Sequence, residues 1–503
     1  MPLINSVITW FMKKRMHQIE LFARYPHEVQ EEWFQRLIYE ARYTEWGKKY
    51  DYPSIKNREQ FRKRVPINTY DDMKPYIERI RKGEQNILWN TEIRWFAKSS
   101  GTTAGKSKFI PVSTESIEET HYRGGKDLLS FYCSNYPDTK LFHGKSLALG
   151  GSHSINKYDN DSFYGDVSAI IMQNLPFWAE FTRTPSIEVA LMDKWEHKIE
   201  QMVEITSKQN ITSLAGVPSW GLFLLQRVLE KTGKSNIADV WPDFEVIFHG
   251  GVNFAPYRPQ FEKILPENIN YVENYNASEG YFGIQDQKNS TELLLMLDYG
   301  IYYEFLPMSE LHTENPQTLT LEEVNTEENY ALVISTNGGL WRYLLGDTIR
   351  FTSTNPYRIK ITGRTKHFIN AFGEELIIEN AEDALKQACE KTAAIIKEYT
   401  AAPVYQNNNQ KAAHEWLIEF EKMPANLNSF KDTLDNALKN NNSDYEAKRY
   451  KDMLLQKPII HSLDQGTFYR WMKKRKKLGG QNKVPRLSNN REYVEDIKTM
   501  ANI

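Results

Sequence analysis

The sequence predicts an α/β protein in two parts: a large N-terminal domain over residues 1–364, with a β-rich subdomain inside it, and a small α+β domain over residues 365–503. Three observations lead there. Between residues 91 and 365 apolar runs alternate with helical segments, and two runs end in glycine pairs, Lys145-Ser146-Leu147-Ala148-Leu149-Gly150-Gly151 and Val246-Ile247-Phe248-His249-Gly250-Gly251. A buried strand that stops on glycines is how ligand-facing strand ends read in α/β sheets. From residue 292 to 351 the pattern changes to closely spaced strands, among them Tyr302-Tyr303-Glu304-Phe305 and Tyr330-Ala331-Leu332-Val333-Ile334-Ser335, with acidic turns between them. After about residue 365 a helix candidate over 379–398 is followed by the alternating His414-Glu415-Trp416-Leu417-Ile418-Glu419-Phe420, a strand with one buried face.

Bulk composition agrees with large packed cores. Hydrophobic residues make up 40% and aromatics 13% of the 503 residues, enough for several domain-sized units at one per ~150 residues. Sixty-three basic against 65 acidic side chains leave a net charge of -2, which gives no global electrostatic case for nucleic acid or an acidic membrane. Only Cys133 and Cys389 occur, so a disulfide framework is excluded and a reducing, cytoplasmic setting is expected. The N-terminal apolar run precedes its basic residues, which is the wrong order for a signal peptide, and no stretch approaches the ~20 apolar residues of a membrane span. Trp10, Phe11, Ile19, Leu21 and Phe22 read instead as the buried side of an amphipathic helix.

Residues 1–90 are helix-rich and carry no legible chemistry. The first stretch that folding alone explains poorly is Lys98-Ser99-Ser100-Gly101-Thr102-Thr103-Ala104-Gly105-Lys106-Ser107-Lys108, where hydroxyls, glycines and lysines crowd together. Such a loop can hold a polyphosphate, and it can equally be a polar turn. Strand-like residues flank it on both sides, so it is expected at a hairpin, and the three residues between Gly101 and Gly105 miss the Walker spacing. Further on, Tyr275-Asn276-Ala277-Ser278-Glu279-Gly280 sets an aromatic, a hydroxyl and a carboxylate at one turn. Base stacking and magnesium binding are one reading of it, a capped helix start the other. Gly346-Asp347 ends a strand, as a ribose-binding carboxylate or an ordinary hairpin would. Gly363-Arg364-Thr365-Lys366 marks a joint, either a hinge or a plain linker. The basic run Lys473-Lys474-Arg475-Lys476-Lys477 reads as a solvated helix face, and the glycine-led loop after it presents Lys483 between rigid neighbours.

The order Ser-Ser-Gly-Thr-Thr-x-Gly-Lys, Tyr-x-x-Ser-Glu, Gly-Asp, Gly-Arg-x-Lys and a late glycine-flanked lysine resembles the acyl-adenylate-forming superfamily of luciferases, acyl-CoA synthetases and peptide-synthetase adenylation domains. Within it, Phe61-Arg62-Lys63-Arg64-Val65-Pro66, Tyr303-Glu304-Phe305-Leu306-Pro307 and Gly339-Leu340-Trp341-Arg342-Tyr343 resemble the auxin-responsive Gretchen Hagen family of acyl-acid amido synthetases. The resemblance implies a small mobile C-terminal domain closing on the large one. It also implies a two-step ligase using ATP and magnesium, which makes an acyl-adenylate and passes the acyl group to an amino acid. Under that resemblance Ser99, Ser100, Gly101, Thr102, Thr103 and Lys106 hold ATP phosphates, and Tyr275, Ala277 and Ser278 contact adenine and the α-phosphate. Gly251 and Arg364 join the nucleotide site, Asp347 takes the ribose, Glu279 binds magnesium, and Lys483 swings in for adenylation.

The expected partners are a small carboxylic acid and an amino acid, with no nucleic acid or membrane, and the expected form is a monomer. The acyl pocket is expected near residues 115–132 and Gly150-Gly151, where Arg123 either meets a polar acyl tail or pairs on the surface. Coenzyme A as acceptor, or a nucleotide-binding regulator without turnover, are the alternatives. The stretch Phe368-Ile369-Asn370-Ala371-Phe372-Gly373-Glu374-Glu375 follows the general superfamily more than the plant enzymes.

Overall fold

The computed structural model describes residues 15–99, 108–149, 155–158, 160–175, 182–192, 195–251, 254, 257–311, 313–365, 369, 376, 378–404, 412–442, 445–446, 449, 455–478, 483–488 and 491–503. In chain order its strands begin with β1 (Trp95–Ser99), β2 (Lys108–Val112), β3 (Lys145–Ala148), β4 (Asn156–Lys157), β5 (Phe163–Gly165) and β6 (Arg183–Thr184). Next come β7 (Ile211–Gly216), β8 (Val246–Gly250), β9 (Asn270–Ala277), β10 (Gly280–Ile284) and β11 (Leu293–Leu295). The series continues with β12 (Ile301–Pro307), β13 (Asn329–Thr336), β14 (Tyr343–Thr354) and β15 (Tyr357–Arg364). Among the described residues these make a four-stranded sheet, β2-β1-β5-β4, and an eleven-stranded sheet, β12-β13-β14-β15-β11-β10-β9-β8-β7-β3-β6.

The large sheet changes character at β9. From β6 through β3, β7 and β8 to β9 each pair is parallel. Parallel neighbours need crossover connections, and the helix α1 (Pro218–Thr232) supplies the one between β7 and β8. Beyond β9 every pairing is antiparallel. The β-rich stretch after residue 292 therefore continues the same sheet, because the tight turn after β9 sends β10 back beside it and β15 pairs β11.

Period-two alternation places neighbours on opposite faces. Ile247 joins Leu147, Leu214, Leu225 and Val228 in a core under the crossover helix, while Val246 and Phe248 face the other core with Val272 and Phe282. The N-terminal helices close the antiparallel side. Gln30 is buried there and donates to the carbonyls of Leu297 (2.9 Å) and Ile301 (3.0 Å) while accepting from Tyr303 N (2.9 Å). Ile19 and Phe22 are buried as expected, Leu21 is exposed instead, and Trp10 and Phe11 lie outside the described residues.

The C-terminal part has its own sheet, β16 (Ile395–Val404), β17 (Ala413–Lys422) and β18 (Ile459–Leu463), in the order β16-β17-β18. The helix preceding it, α2 (Ile378–Thr392), stops earlier than the apolar spacing predicts: Ala393 takes φ 53° and Ile396 already lies in β16. On β17 both faces are buried. Trp416, Ile418 and Phe420 pack under α2 and the helix α3 (Leu427–Asn441), while Leu417 packs under α4 (Thr467–Lys474) and α5 (Glu492–Ala501). No helix among the described residues is long and apolar enough to cross a membrane.

Candidate active site

A cleft of about 2030 Å³ opens between the C-terminal ends of the parallel strands and the C-terminal part. Strand ends supply its floor. Gly250 lies so close to β9 that a Cβ would sit 2.3 Å from the Asn274 carbonyl oxygen. Gly251 follows with φ +77°, a left-handed conformation that favours glycine, and a Cβ there would be 3.1 Å from Lys483 Nζ. The lysine from the far end of the chain thus reaches the glycine pair after β8. His249 steadies this corner: its ring stacks on Phe254 at 4.3 Å, its carbonyl accepts from Asn274 Nδ2 (3.0 Å), and burial pushes its pKa down to about 3, so it stays uncharged.

The turn joining β9 to β10 forms one wall. Ala277 pairs with Gly280 across it, and both Ser278 and Glu279 line the cleft. The turn is a strand-to-strand connection, not the capped helix start that the sequence also allowed. Ser278 Oγ is buried without a hydrogen-bond partner among the described residues. Buried hydroxyls are rarely left so, because an unmet donor costs ~1–3 kcal/mol; the oxygen suits a ligand atom. Tyr275 is turned by its hydroxyl, which donates to Asp347 Oδ2 at 2.7 Å, and its ring packs on Phe282 at 4.9 Å. Asp347 in turn sits opposite Arg364 in the β14–β15 register, which brings three sequence-distant motifs to one edge.

The expected hairpin forms, with Trp95 opposite Val112 and Ser99 opposite Lys108. Ser100, Gly101, Thr102, Thr103 and Lys106 lie outside the described residues. At the foot of that hairpin Lys108 Nζ lies 3.5 Å from the Tyr343 hydroxyl. Burial, with Glu279 nearby, keeps the Tyr343 phenol protonated well above its usual range. Gly363 and Arg364 belong to β15, Thr365 N bonds the Gly346 carbonyl at 2.8 Å, and Lys366 lies outside the described residues. Arg123 donates to the Asp298 carbonyl at 2.8 Å, which is its surface-pairing reading. In the basic run, Lys474 and Arg475 pair with Asp496 on α5, at 3.6 and 3.5 Å.

Several cleft residues escaped the sequence reading. Lys360 and Glu382 line it beside Glu273, whose carboxyl is pushed up to about 7 by burial first and by Glu382 second, with Lys360 opposing. His121 and Tyr281 line it as well. His121 falls within the 115–132 stretch expected near the acyl pocket and Tyr281 follows the Tyr275–Gly280 turn directly, while Glu382 stands in no motif and its signal is three-dimensional. Among the described residues no group of three or more His, Cys, Asp or Glu side chains could hold a metal by itself.

The GH3 family N-terminal domain matches residues 15–269, its central domain residues 294–364, and its C-terminal domain residues 379–492. Indole-3-acetic acid-amido synthetase GH3.2 of Arabidopsis thaliana is 25% identical over 406 residues, covering 67% of this chain and 74% of that protein. Jasmonoyl–L-amino acid synthetase JAR4 of Nicotiana attenuata is 25% identical over 452 residues, 76% of each chain. Among solved structures, GH3.15 acyl acid amido synthetase in complex with 2,4-DB superposes with a TM-score of 0.77 at 17% identity, covering 94% of this chain and 93% of that one. A 2-hydroxyisobutyryl-CoA ligase in its postadenylation state has the same fold, with a TM-score of 0.59 at 12% identity over 94% of this chain and 91% of that one.

Proposed function

Because the chain belongs to the GH3 family, we propose a division of its residues between the two half-reactions of an acid–amino acid ligase. The protein is an acyl-adenylate-forming ligase that uses ATP. In the first half-reaction a carboxylate oxygen attacks the α-phosphorus of ATP, the bond to the bridging oxygen breaks, and pyrophosphate leaves. In the second, an amino acid's amine attacks the acyl carbonyl, AMP departs, and the amine's proton is lost as the amide forms.

The observation that carries the assignment is the approach of Lys483 Nζ to Gly251, in the cleft that Ser278 and Glu279 also line. Two anions meet in the first step, and an ammonium placed there offsets the charge that builds on the phosphoryl oxygens. Ser278 Oγ donates to the α-phosphate, Tyr275 and Ala277 border the adenine, Asp347 accepts from the ribose hydroxyls, and Gly251 lets the nucleotide approach the backbone. The segment from Ser99 to Lys106 holds the departing pyrophosphate, and Arg364 completes the nucleotide edge.

Magnesium is bound by one or two carboxylates plus substrate phosphates, and Glu279, which lines the cleft beside Ser278, would be the residue to hold it. When bound, the ion neutralises phosphate charge. Residues 1–364 then act as the nucleotide-holding domain and 365–503 as the domain that delivers Lys483. Free Cys133 and Cys389 fit a cytoplasmic monomer acting on a small acid and an amino acid.

The test is acid-dependent pyrophosphate release with ATP and magnesium over a panel of acids, followed by product analysis with amino acids or coenzyme A. An amide is expected. Thioester without amide overturns the acceptor assignment, and ATP binding without pyrophosphate release for any acid overturns the ligase reading in favour of a regulatory protein.

A further inference from the structure

One arm of the cleft holds polar atoms that the two half-reactions leave unused. The helical turn Ser116–Tyr122 runs directly into α-helical residues Arg123–Asn135, so His121, Gly124, Gly125 and Leu128 share one face at helical spacing. Against that face lies the ring of Tyr281: a Cβ on Gly124 would stand 2.4 Å from it, so the glycine is what admits the ring. The helix Val167–Gln173 closes the arm, tied on by Tyr122 Oη donating to the Ile171 carbonyl at 3.3 Å. His121, Tyr281, Leu128, Ile171, Met172 and Phe248 all line the cleft.

Both polar members are unmet. His121 is 3% exposed and Tyr281 4% exposed. Neither His121 ring nitrogen, nor the Tyr281 hydroxyl, has a hydrogen-bond partner among the described residues. Burial pushes the His121 pKa down to about 4, so the imidazole is neutral and presents one donor and one acceptor. Asp127, whose charge is felt at Tyr281, is already engaged by Arg15 at 2.6 Å and by the Tyr299 hydroxyl at 2.7 Å. Tyr281 is also the second residue of β10, the strand that leaves the turn carrying Ser278 and Glu279, which joins the arm to that turn.

The acyl pocket is expected beside residues 115–132, and we propose that in this chain His121 and Tyr281 make it select a carboxylic acid with a largely apolar tail bearing one uncharged hydrogen-bonding group, a hydroxyl above all. A hydroxyl can accept from Tyr281 and donate to the imidazole of His121, or the reverse, while the ring or chain that carries it packs on Leu128, Ile171, Met172 and Phe248. An acid lacking the group leaves buried donors and acceptors unpaired, and a second carboxylate or an amine in the tail finds no opposite charge in these six residues. The inference rests on the ligase reading and adds the class of acid to it.

The experiment compares matched acids on the full-length protein: phenylacetate with 4-hydroxyphenylacetate, cinnamate with 4-hydroxycinnamate, and a short dicarboxylate, each scored by kcat/KM for acid-dependent pyrophosphate release. The hydroxylated member of at least one pair is expected to exceed its partner roughly tenfold to a hundredfold, with the dicarboxylate poorest. Y281F removes one oxygen without changing shape, and His121→Phe removes both nitrogens; each is expected to cut that ratio severalfold while ATP binding is kept. Equal or reversed ratios in the unaltered protein overturn the inference and leave the ligase reading intact, as does a ratio that neither variant changes. Should the variants fail to fold, the ratio in the unaltered protein decides. Turnover with none of the acids, in protein that binds ATP, overturns both.

Discussion

In the antiparallel half of the large sheet, Arg342 donates through Nε and Nη2 to both oxygens of Glu304 at 2.9 Å and from Nη2 to Thr318 Oγ1 at 2.9 Å. Its Nη1 donates to the carbonyls of Val65 (2.7 Å) and Arg62 (3.1 Å). All five of its N–H groups are used. At the end of the parallel half Ser278 Oγ is just as deeply buried and uses none of its capacity within the described residues. The contrast separates two meanings of a buried polar residue. A saturated one braces the fold, here by locking the Gly339-Leu340-Trp341-Arg342-Tyr343 stretch to the N-terminal helices. An unsaturated one in a cleft keeps its hydrogen-bonding capacity available to a ligand. Both residues stand in conspicuous sequence signatures, so a signature alone does not tell a brace from a group left open to the cleft.

The sharpest way to break the comparison is Arg342→Ala. It removes two of the donors to the buried Glu304, leaving it Thr318 Oγ1 at 2.6 Å and Arg62 Nε at 3.5 Å, and is expected to cost about 3 kcal/mol, read as a lower denaturant midpoint. Adenylation per folded molecule should change little. If activity fell while stability held, Arg342 would belong to the site and the contrast would fail. Lys483→Ala is next: adenylation should slow roughly 100- to 1000-fold, while amide formation from pre-formed acyl-adenylate, followed in a single turnover, stays within about threefold. Equal loss in both half-reactions would remove the lysine from the first step.

Ser278→Ala sharpens the other side. Deleting an unpaired hydroxyl should leave the melting temperature unchanged or slightly higher, yet reduce pyrophosphate release about tenfold. A stability loss matching that of an ordinary core hydroxyl would show that Ser278 has a partner in solution. The smallest effect concerns Glu273, raised to about 7 from the ~4.3 of an unfolded glutamate. Folding takes up a proton in that interval, so the contribution is full below it and is lost as pH rises through 7. Glu273→Gln lacks that slope: its melting temperature should gain on the parent protein between pH 5 and pH 8, and parallel curves would contradict the assignment.

Much of the architecture was legible before any coordinates because it depends on local spacing. The antiparallel pairing of β1 with β2, the glycine end of β8 and the alternation at Trp416, Ile418 and Phe420 are all read from neighbours in sequence. What failed needed distant partners. The β17 strand read as half-exposed because its second face carries Glu415 and Glu419 beside Leu417, charged residues buried only by later elements. The helix after residue 378 overran because Ile396 keeps helical spacing although the chain has already turned into β16. In the site, motif order brought Tyr275 and Asp347 together, and they meet at 2.7 Å. His121 and Tyr281 carried no motif, since being unpaired is a property of surroundings.

The stretch after Lys483 has a consequence for timing. Ala401 N bonds the Arg486 carbonyl at 2.9 Å, Ser488 N bonds the Ala401 carbonyl at 3.1 Å, and Leu487 bridges Ala401 in parallel, so the lysine is riveted to the edge of β16. The backbone three residues after Lys483 is thus part of the three-stranded sheet, and a displacement of that sheet carries the lysine with it. The polar ties that hold that sheet across the cleft include Arg486 to the Tyr257 hydroxyl at 3.2 Å, Lys263 to Glu421 at 3.3 Å and Arg350 to Glu379 at 3.4 Å. The two ion pairs are half-exposed and worth at most ~1 kcal/mol each. Such a latch releases readily, so under the proposed role of Lys483 one rigid displacement of this sheet would both end the first half-reaction and clear the way for the second.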